Sequence, residues 1–370
     1  GHGWVKSCVA GLRGTKRRPI MITEGKIGVR EAIWLVTLAI SAKMFFASPS
    51  MLVGLVGNTG WYMTLISAVT ALAGFMFIYL LLKRFPGRDI MEIFDITLGR
   101  VLGFAFSGIL AIYLLFKAVT RIAEFNEVIK VYVFPLSPNW LITGIYVICV
   151  FTLCILGLES IARFAKLLIY FMLAGFLVVL ILSSQNYNPN YLYPILGYGL
   201  DKTLLHGVVR SSVYGEVILL AVFAQSLQGL KHIKKEGVIG ILLSAVLISL
   251  SLLSYILTFP YYTARDITAP MYEMATFIDY GRFLQRVEPI FLFVWITSTL
   301  ISSTIVTYSF IWIYCRIFRM QDKKPICIAG CILLYAAVLM HKDIETVLDY
   351  VQWLRNYGAI FVFILPLVSL

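Results

Sequence analysis

The sequence predicts an all-α membrane protein of ten transmembrane helices, a 5+5 inverted repeat of the broken-helix transporter kind with helices 1 and 6 interrupted. Three observations lead there. The 370 residues are 60% hydrophobic and only 14% charged, against roughly 25% charged in a typical soluble domain, and mean hydropathy is +0.88. The apolar residues fall into runs long enough to cross a hydrocarbon core of about 30 Å. The first and sixth runs carry polar and helix-weakening residues where continuous apolar helix would cost less. A soluble chain of this length has too little interior for so much apolar surface, whereas a bilayer accepts it. Disordered chains, disulfide scaffolds and conventional cytosolic enzymes are excluded.

In chain order the predicted spans cover residues 29–55, 61–82, 102–134, 140–156, 162–182, 204–227, 238–259, 289–314, 326–340 and 351–368. Gly57-Asn58-Thr59-Gly60, Pro135-Leu136-Ser137-Pro138-Asn139 and Asn186-Tyr187-Asn188-Pro189-Asn190 punctuate them as turns. Residues 1–21 read as a basic N-terminal extension and residues 22–370 as a single transmembrane domain. The extension ends Gly14-Thr15-Lys16-Arg17-Arg18-Pro19 and lacks the apolar core of a signal peptide, so Met21 is expected to be the natural start. The longest connections, 183–203 and 261–288, contain tyrosines. The stretch Tyr272–Phe283 is expected to lie as a short helix across the external face, serving either as an interfacial anchor or as a gate.

The net charge of +12 is not the mark of a nucleic-acid partner, because the basic residues sit in short clusters between apolar runs. With a cytoplasmic N-terminus, twenty Lys and Arg fall in inside segments. Only seven fall in outside connections and span ends: Lys130, Lys202, Arg265, Arg282, Arg286, Lys342 and Arg355. That asymmetry places both termini in the cytoplasm. Cys327 and Cys331 share a helix face but have no His or acidic neighbours in sequence, so they read as small packing residues and not as a zinc site. No nucleophile elbow, phosphate loop or metal-binding helix motif is present. No enzyme activity, metal or cofactor is expected.

The informative residues are interruptions and charges inside spans. In Ser41-Ala42-Lys43-Met44-Phe45-Phe46-Ala47-Ser48-Pro49-Ser50, Pro49 lacks an N–H and frees backbone groups around Phe45–Ala47. Freed backbone at that depth survives only against protein or a water-lined cavity, although a simple proline kink is the alternative. The sixth span carries Arg210-Ser211-Ser212-Val213-Tyr214-Gly215-Glu216, where Gly215 weakens the helix by about 1 kcal/mol relative to Ala. Spans one and six open the two five-span halves, and such paired interruptions point to a central site. Lys43, Lys117, Arg121, Glu124, Glu127 and Glu216 each cost roughly 2.5–3.5 kcal/mol in lipid and so must be paired or wetted. Tyr113, Lys117, Arg121 and Glu124 form one helical stripe, on which Arg121 and Glu124 can pair. Lys117 needs a carboxylate from another helix, and Glu216 is the candidate for it or for Lys43. A purely structural ion-pair network is the competing reading, and Glu127 and Arg210 also suit the outer interface. The eighth span adds Trp295, Thr297, Ser298, Ser302, Ser303, Thr304, Thr307 and Tyr308. Thr304 and Tyr308 lie one turn apart and can face one cavity, although Ser and Thr often bond only their own helix.

At these residues the chain resembles the amino acid–polyamine–organocation superfamily: the Ser41–Pro49 run stands where that superfamily has its Gly-x-Gly-Ile-Phe-x-x-Pro unwound segment. More narrowly it resembles the spore-germination permease family, the B subunit of nutrient germinant receptors. Glu24-Gly25-Lys26-Ile27-Gly28-Val29-Arg30-Glu31, Pro49-Ser50 and Tyr214-Gly215-Glu216 carry that likeness, which spans Ile22–Leu370. The resemblance implies a small nutrient, usually an amino acid, held between spans one, three, six and eight. It also implies two partners, a larger membrane subunit with a cytoplasmic domain and a lipoprotein, in the inner membrane of a bacterial spore. Lys43 departs from the small residues usual in the unwound segment, which argues against a sodium site and for a tethered cation.

The expected ligand site therefore comprises Lys43, Met44, Phe45, Ala47, Tyr113, Lys117, Ser211, Ser212, Tyr214, Gly215, Glu216, Thr304 and Tyr308. A germinant receptor subunit is the first reading. A proton-coupled amino-acid symporter and a purely structural assembly subunit are the others.

Overall fold

A computed structural model describes residues 25–46, 48–281, 287–341 and 343–370. The basic extension, Glu24, Ala47, Arg282, Arg286 and Lys342 lie outside the described residues. Every regular element among the described residues is helical. In chain order these are α1 (Val29–Ser41), α2 (Ser48–Val56), α3 (Gly60–Arg84), α4 (Ile90–Tyr132), α5 (Asn139–Leu156), α6 (Leu158–Ser183), α7 (Leu200–Val209), α8 (Leu219–Val222), α9 (Leu230–Thr258), α10 (Tyr261–Asp266), α11 (Pro270–Thr276), α12 (Glu288–Ile317), α13 (Lys324–Leu339), α14 (Ile344–Ala359) and α15 (Leu365–Leu367).

Seven stretches are long and apolar enough to cross a membrane: Ser48–Arg84, Ile90–Tyr132, Asn139–Leu156, Leu158–Asn186, Leu200–Val222, Leu230–Thr258 and Glu288–Ile317. An eighth is added if α13 and the stretch Ile344–Leu367, which meet at 119°, make one bent span. The protein is thus a multi-pass membrane protein. The sequence pattern expects ten crossings, and the difference lies in short helices. α1 has 13 residues and α13 and α14 have 16 each, so at 1.5 Å per residue none spans about 30 Å by itself. Large apolar side chains such as Ile112, Ile145, Leu205 and Ile332 remain exposed on the helices, the surface a lipid-facing bundle presents.

Two helices form the inner wall. α12 packs against α4, α5, α6 and α1, while α9 packs against α3 and α1. Close approach relies on small residues: a Cβ at Gly237 of α9 would fall 2.0 Å from the Phe75 ring of α3. The 43-residue α4 is really two helices, bent at Gly99, whose φ of 80° L side chains rarely adopt. Asp89 caps its start, accepting the Glu92 N–H at 2.9 Å. In the long connection, where a helix is expected over Tyr272–Phe283, the structure has one at Pro270–Thr276, with Pro270 in its first turn and Phe277 ending it; residues 282 and 283 of that stretch lie outside the described residues.

Candidate functional site

The first predicted span does not run through as a kinked helix. α1 passes into a 3₁₀ turn at Ala42–Phe45, Phe46 is extended, and α2 begins at Ser48. Pro49 therefore sits in the first turn of the second half, where its missing N–H removes no helical bond. The sixth predicted span is likewise not one α-helix: α7 gives way at Arg210 to nine residues of 3₁₀ helix, Arg210–Ile218, before α8. Runs of 3₁₀ beyond three or four residues are uncommon and often mark a hinge or strain. Ser211, Ser212, Val213 and Gly215 all favour α-helix poorly, so the sequence offers little to keep the segment α-helical.

The two irregular segments meet at Glu216. Its Oε2 accepts from the Lys43 ammonium, and its Oε1 lies 3.0 Å from Lys117 Nζ and 2.7 Å from Arg121 Nη2. The carboxylate is 1% exposed. Lys43 also donates to the Val213 carbonyl. Arg121 donates to Ser302 Oγ, and Ser302 in turn donates to the Ala39 carbonyl at 2.8 Å. One acidic group thus ties the break in span one, the 3₁₀ segment, α4 and α12. Lys117 and Lys43 both receive the carboxylate that the sequence pattern requires from another helix.

Beside this cluster lies a small cavity of about 40 Å³. Its walls come from Lys43 and Phe46 of the break, Tyr113, Lys117, Thr120, Arg121 and Glu124 of α4, Ser212 and Val213 of the 3₁₀ segment, and Val351, Leu354 and Arg355 of α14. Tyr113 stacks on Phe361 with ring centroids 4.9 Å apart, and Lys117 Nζ stands 5.6 Å from the Tyr113 ring centroid. Ser212 donates to the Arg355 carbonyl at 2.6 Å, locking the 3₁₀ segment to α14. Gly358 is essential to the narrowness of that joint, because a Cβ there would fall 2.7 Å from Tyr113 Oη and 2.9 Å from Ser212 Cβ.

Of the residues expected from sequence, Lys43, Tyr113, Lys117 and Ser212 line this cavity, and Glu216 holds its cations. Gly215 is adjacent, 3.5 Å from Lys117 Nζ at its would-be Cβ. Phe45 faces Phe291, and Met44 is buried. Ser211 is buried in the 3₁₀ segment and Tyr214 points away, donating to the Thr64 carbonyl at 3.0 Å. Thr304 and Tyr308 do not line the cavity; Tyr308 stacks on Phe223 and accepts from Lys323 at 3.0 Å. Ala47 lies outside the described residues.

The structure adds residues that the sequence placed elsewhere. Arg355, counted among charges at span ends, is 7% exposed and lines the cavity. Arg210, equally suited by sequence to an interface, is 1% exposed, and its Nη1 lies 3.3 Å from Asn356 Oδ1. A buried charge two or three turns inside its helix could have been recognised only with the helix start in hand. Chemically, the assembly is an array of N–H donors around a small space, suited to binding oxygen-rich ligands.

A family model described as spore germination protein matches residues 26–347. Spore germination protein KB of Bacillus subtilis is 22% identical over 308 residues, covering 82% of this chain and 81% of its own length. Spore germination protein A2 of the same organism is also 22% identical, over 307 residues, 80% of this chain and 83% of its own. Among solved structures, a manganese transporter from Eremococcus coleocola is similar at a TM-score of 0.67 and 15% identity, covering 94% of this chain and 81% of its own. At that identity the likeness concerns the fold.

Proposed function

Because the chain belongs to the spore germination protein family, we propose that it is a subunit of a nutrient germinant receptor in the spore inner membrane. A small molecule, of which an amino acid is the leading class, enters the charged cavity and shifts the bundle between conformations. A larger membrane subunit and a lipoprotein read that shift. The fold proposed with it is the ten-crossing 5+5 inverted repeat, both termini cytoplasmic. In that arrangement α1 with α2, and α7 with α8, are the broken first and sixth helices, and α13 and α14 cross separately. The observation that supports this most is the convergence of both irregular segments on the buried Glu216 carboxylate. Elements with two alternative backbone arrangements, joined through one ion cluster, can convert ligand contact into a population shift.

A proton-coupled amino-acid symporter is the second reading. Lys43 favours it, since a buried ammonium held by the Val213 carbonyl and Glu216 sits where a proton could be exchanged as the two segments move. Reconstitution of the full chain in liposomes separates the two. Time-dependent accumulation of labelled amino acids under an imposed pH gradient is the symporter outcome. Saturable binding without accumulation is the receptor outcome. Binding of no small molecule in the membrane-embedded chain would defeat both.

A further inference from the structure

The charges around the cavity do not balance. Five cations, Lys43, Lys117, Arg121, Arg210 and Arg355, are each at most 8% exposed. Two carboxylates, Glu124 and Glu216, are buried with them. Lysine can shed its proton when buried, but arginine does not. With both lysines neutral, the lining arginines Arg121 and Arg355 match the two carboxylates, and Arg210, beside the cavity, is the charge left over. The next acid on the cavity's own helix, Asp349, is exposed and borders a separate lateral groove, so it does not supply the missing charge.

A second observation points the same way. Among the described residues Arg210 keeps Nε and Nη2 without a hydrogen-bond partner although it is 1% exposed. It stands two residues before Ser212, and its one contact, Asn356, follows Arg355. Both neighbours line the cavity. A buried guanidinium with two idle N–H edges is a costly thing to leave unanswered. The acceptors a ligand ammonium would need are already engaged: Glu216 serves three cations, Lys43 occupies the Val213 carbonyl, and Glu124, the carboxylate in the cavity wall, is opposed by the Arg355 charge.

We propose that the cavity takes a carboxylate-bearing anion of net negative charge, a dicarboxylate or an acidic amino acid, in preference to a neutral zwitterion. Arg355 and Lys117 hold the first carboxylate, and Arg210 adds its charge from the adjoining turn. This deepens the ligand-site reading above and rests on it.

The test uses the full chain in nanodiscs of uncharged lipid, with four probes: succinate, L-aspartate, its amide isostere L-asparagine, and L-alanine. Succinate and aspartate are expected to bind at least about tenfold more tightly than asparagine, the order expected for one charge-assisted contact of about 1.4 kcal/mol. Arg355→Gln should bring aspartate and asparagine within about threefold of each other. Arg210→Met should weaken the anion while raising the melting temperature of the empty protein, because it removes a buried unpaired charge; a purely structural arginine would lower it. Asparagine or alanine binding as tightly as aspartate, with binding lost in Gly358→Leu, would overturn the anion class and leave the ligand site standing. Stabilisation by chloride equal to that by aspartate would also overturn the carboxylate class. Binding by none of the four, or binding that survives Gly358→Leu, would overturn the site itself.

Discussion

Two buried ion clusters in this molecule are built on opposite plans. Where α4 begins and α12 ends, Asp89 meets Arg316 one to one: Oδ2 lies 2.9 Å from Nη2. Asp89 is 1% exposed, and the guanidinium is further held by Gln225 and packed 5.2 Å from the Trp312 ring centroid. At the centre, Glu216 answers three cations, with Glu124 and two more arginines close by. The first arrangement is balanced in charge and clasps three segments. The second is over-supplied with donors and leaves an adjoining cavity. A balanced pair can be swapped for apolar residues with little loss, whereas an unbalanced cluster needs something from outside.

Glu216→Gln should break that contrast most severely. Removing one partner of a buried pair costs about 3–5 kcal/mol, and here one substitution leaves Lys43, Lys117 and Arg121 without their anion. With total stability of only about 5–15 kcal/mol expected, little folded protein should survive extraction, as read by monodispersity and melting temperature. Adding Lys43→Met to Glu216→Gln removes one stranded cation and should recover part of the yield. Wild-type stability of the single variant would mean that the central cluster is not an ion network at all.

Arg316→Gln comes next. It strands one carboxylate and should cost about 3 kcal/mol near neutral pH. Unlike the central case, the pair has an exact repair: Asp89→Leu with Arg316→Met should restore the melting temperature. Failure of that double variant to recover would show that the clasp, like the centre, depends on charge for more than its own balance.

The sequence made these two regions legible to different degrees. Lys43, Lys117 and Glu216 stand out because a lone charge in an apolar run has to be explained, and each needs a partner. Arg355 was hidden by a boundary. Counting the last apolar run from Val351 places it near the membrane edge, but α14 begins at Ile344 with Asp343 capping it, which carries Arg355 well into the helix. Thr304 and Tyr308 stand away from this cavity for another reason. Helical spacing says which residues share a face, but not which neighbour that face meets. α12 gives Ser302 to Arg121, while Tyr308 faces Phe223. The ten expected crossings exceed the single long helices among the described residues because broken and bent elements read in sequence as continuous apolar runs. The clasp was invisible altogether: Asp89 and Arg316 are 227 residues apart, and both look like ordinary loop-end charges.

Asp89→Asn should have the smallest effect and the most specific one. Burial outweighs Arg316 and pushes the Asp89 carboxyl up to about 6 from an ordinary 3.8. The folded protein therefore holds this proton more tightly than the unfolded chain does between about pH 4 and 6. By linkage, the group's contribution to stability is fullest below about pH 4 and is lost as the pH rises through about 6. Asn mimics the protonated carboxyl, so Asp89→Asn should change the melting temperature little in acid and hold or raise it at pH 7, a difference of at most about 3 kcal/mol by the two-unit shift. Its stability should be flat across the window in which the native protein's falls. A native profile that instead rises with pH there would mean that Arg316 dominates burial. The clasp would then be stabilised by its charge, as the central cluster is, and the contrast between the two regions would narrow to the number of cations alone.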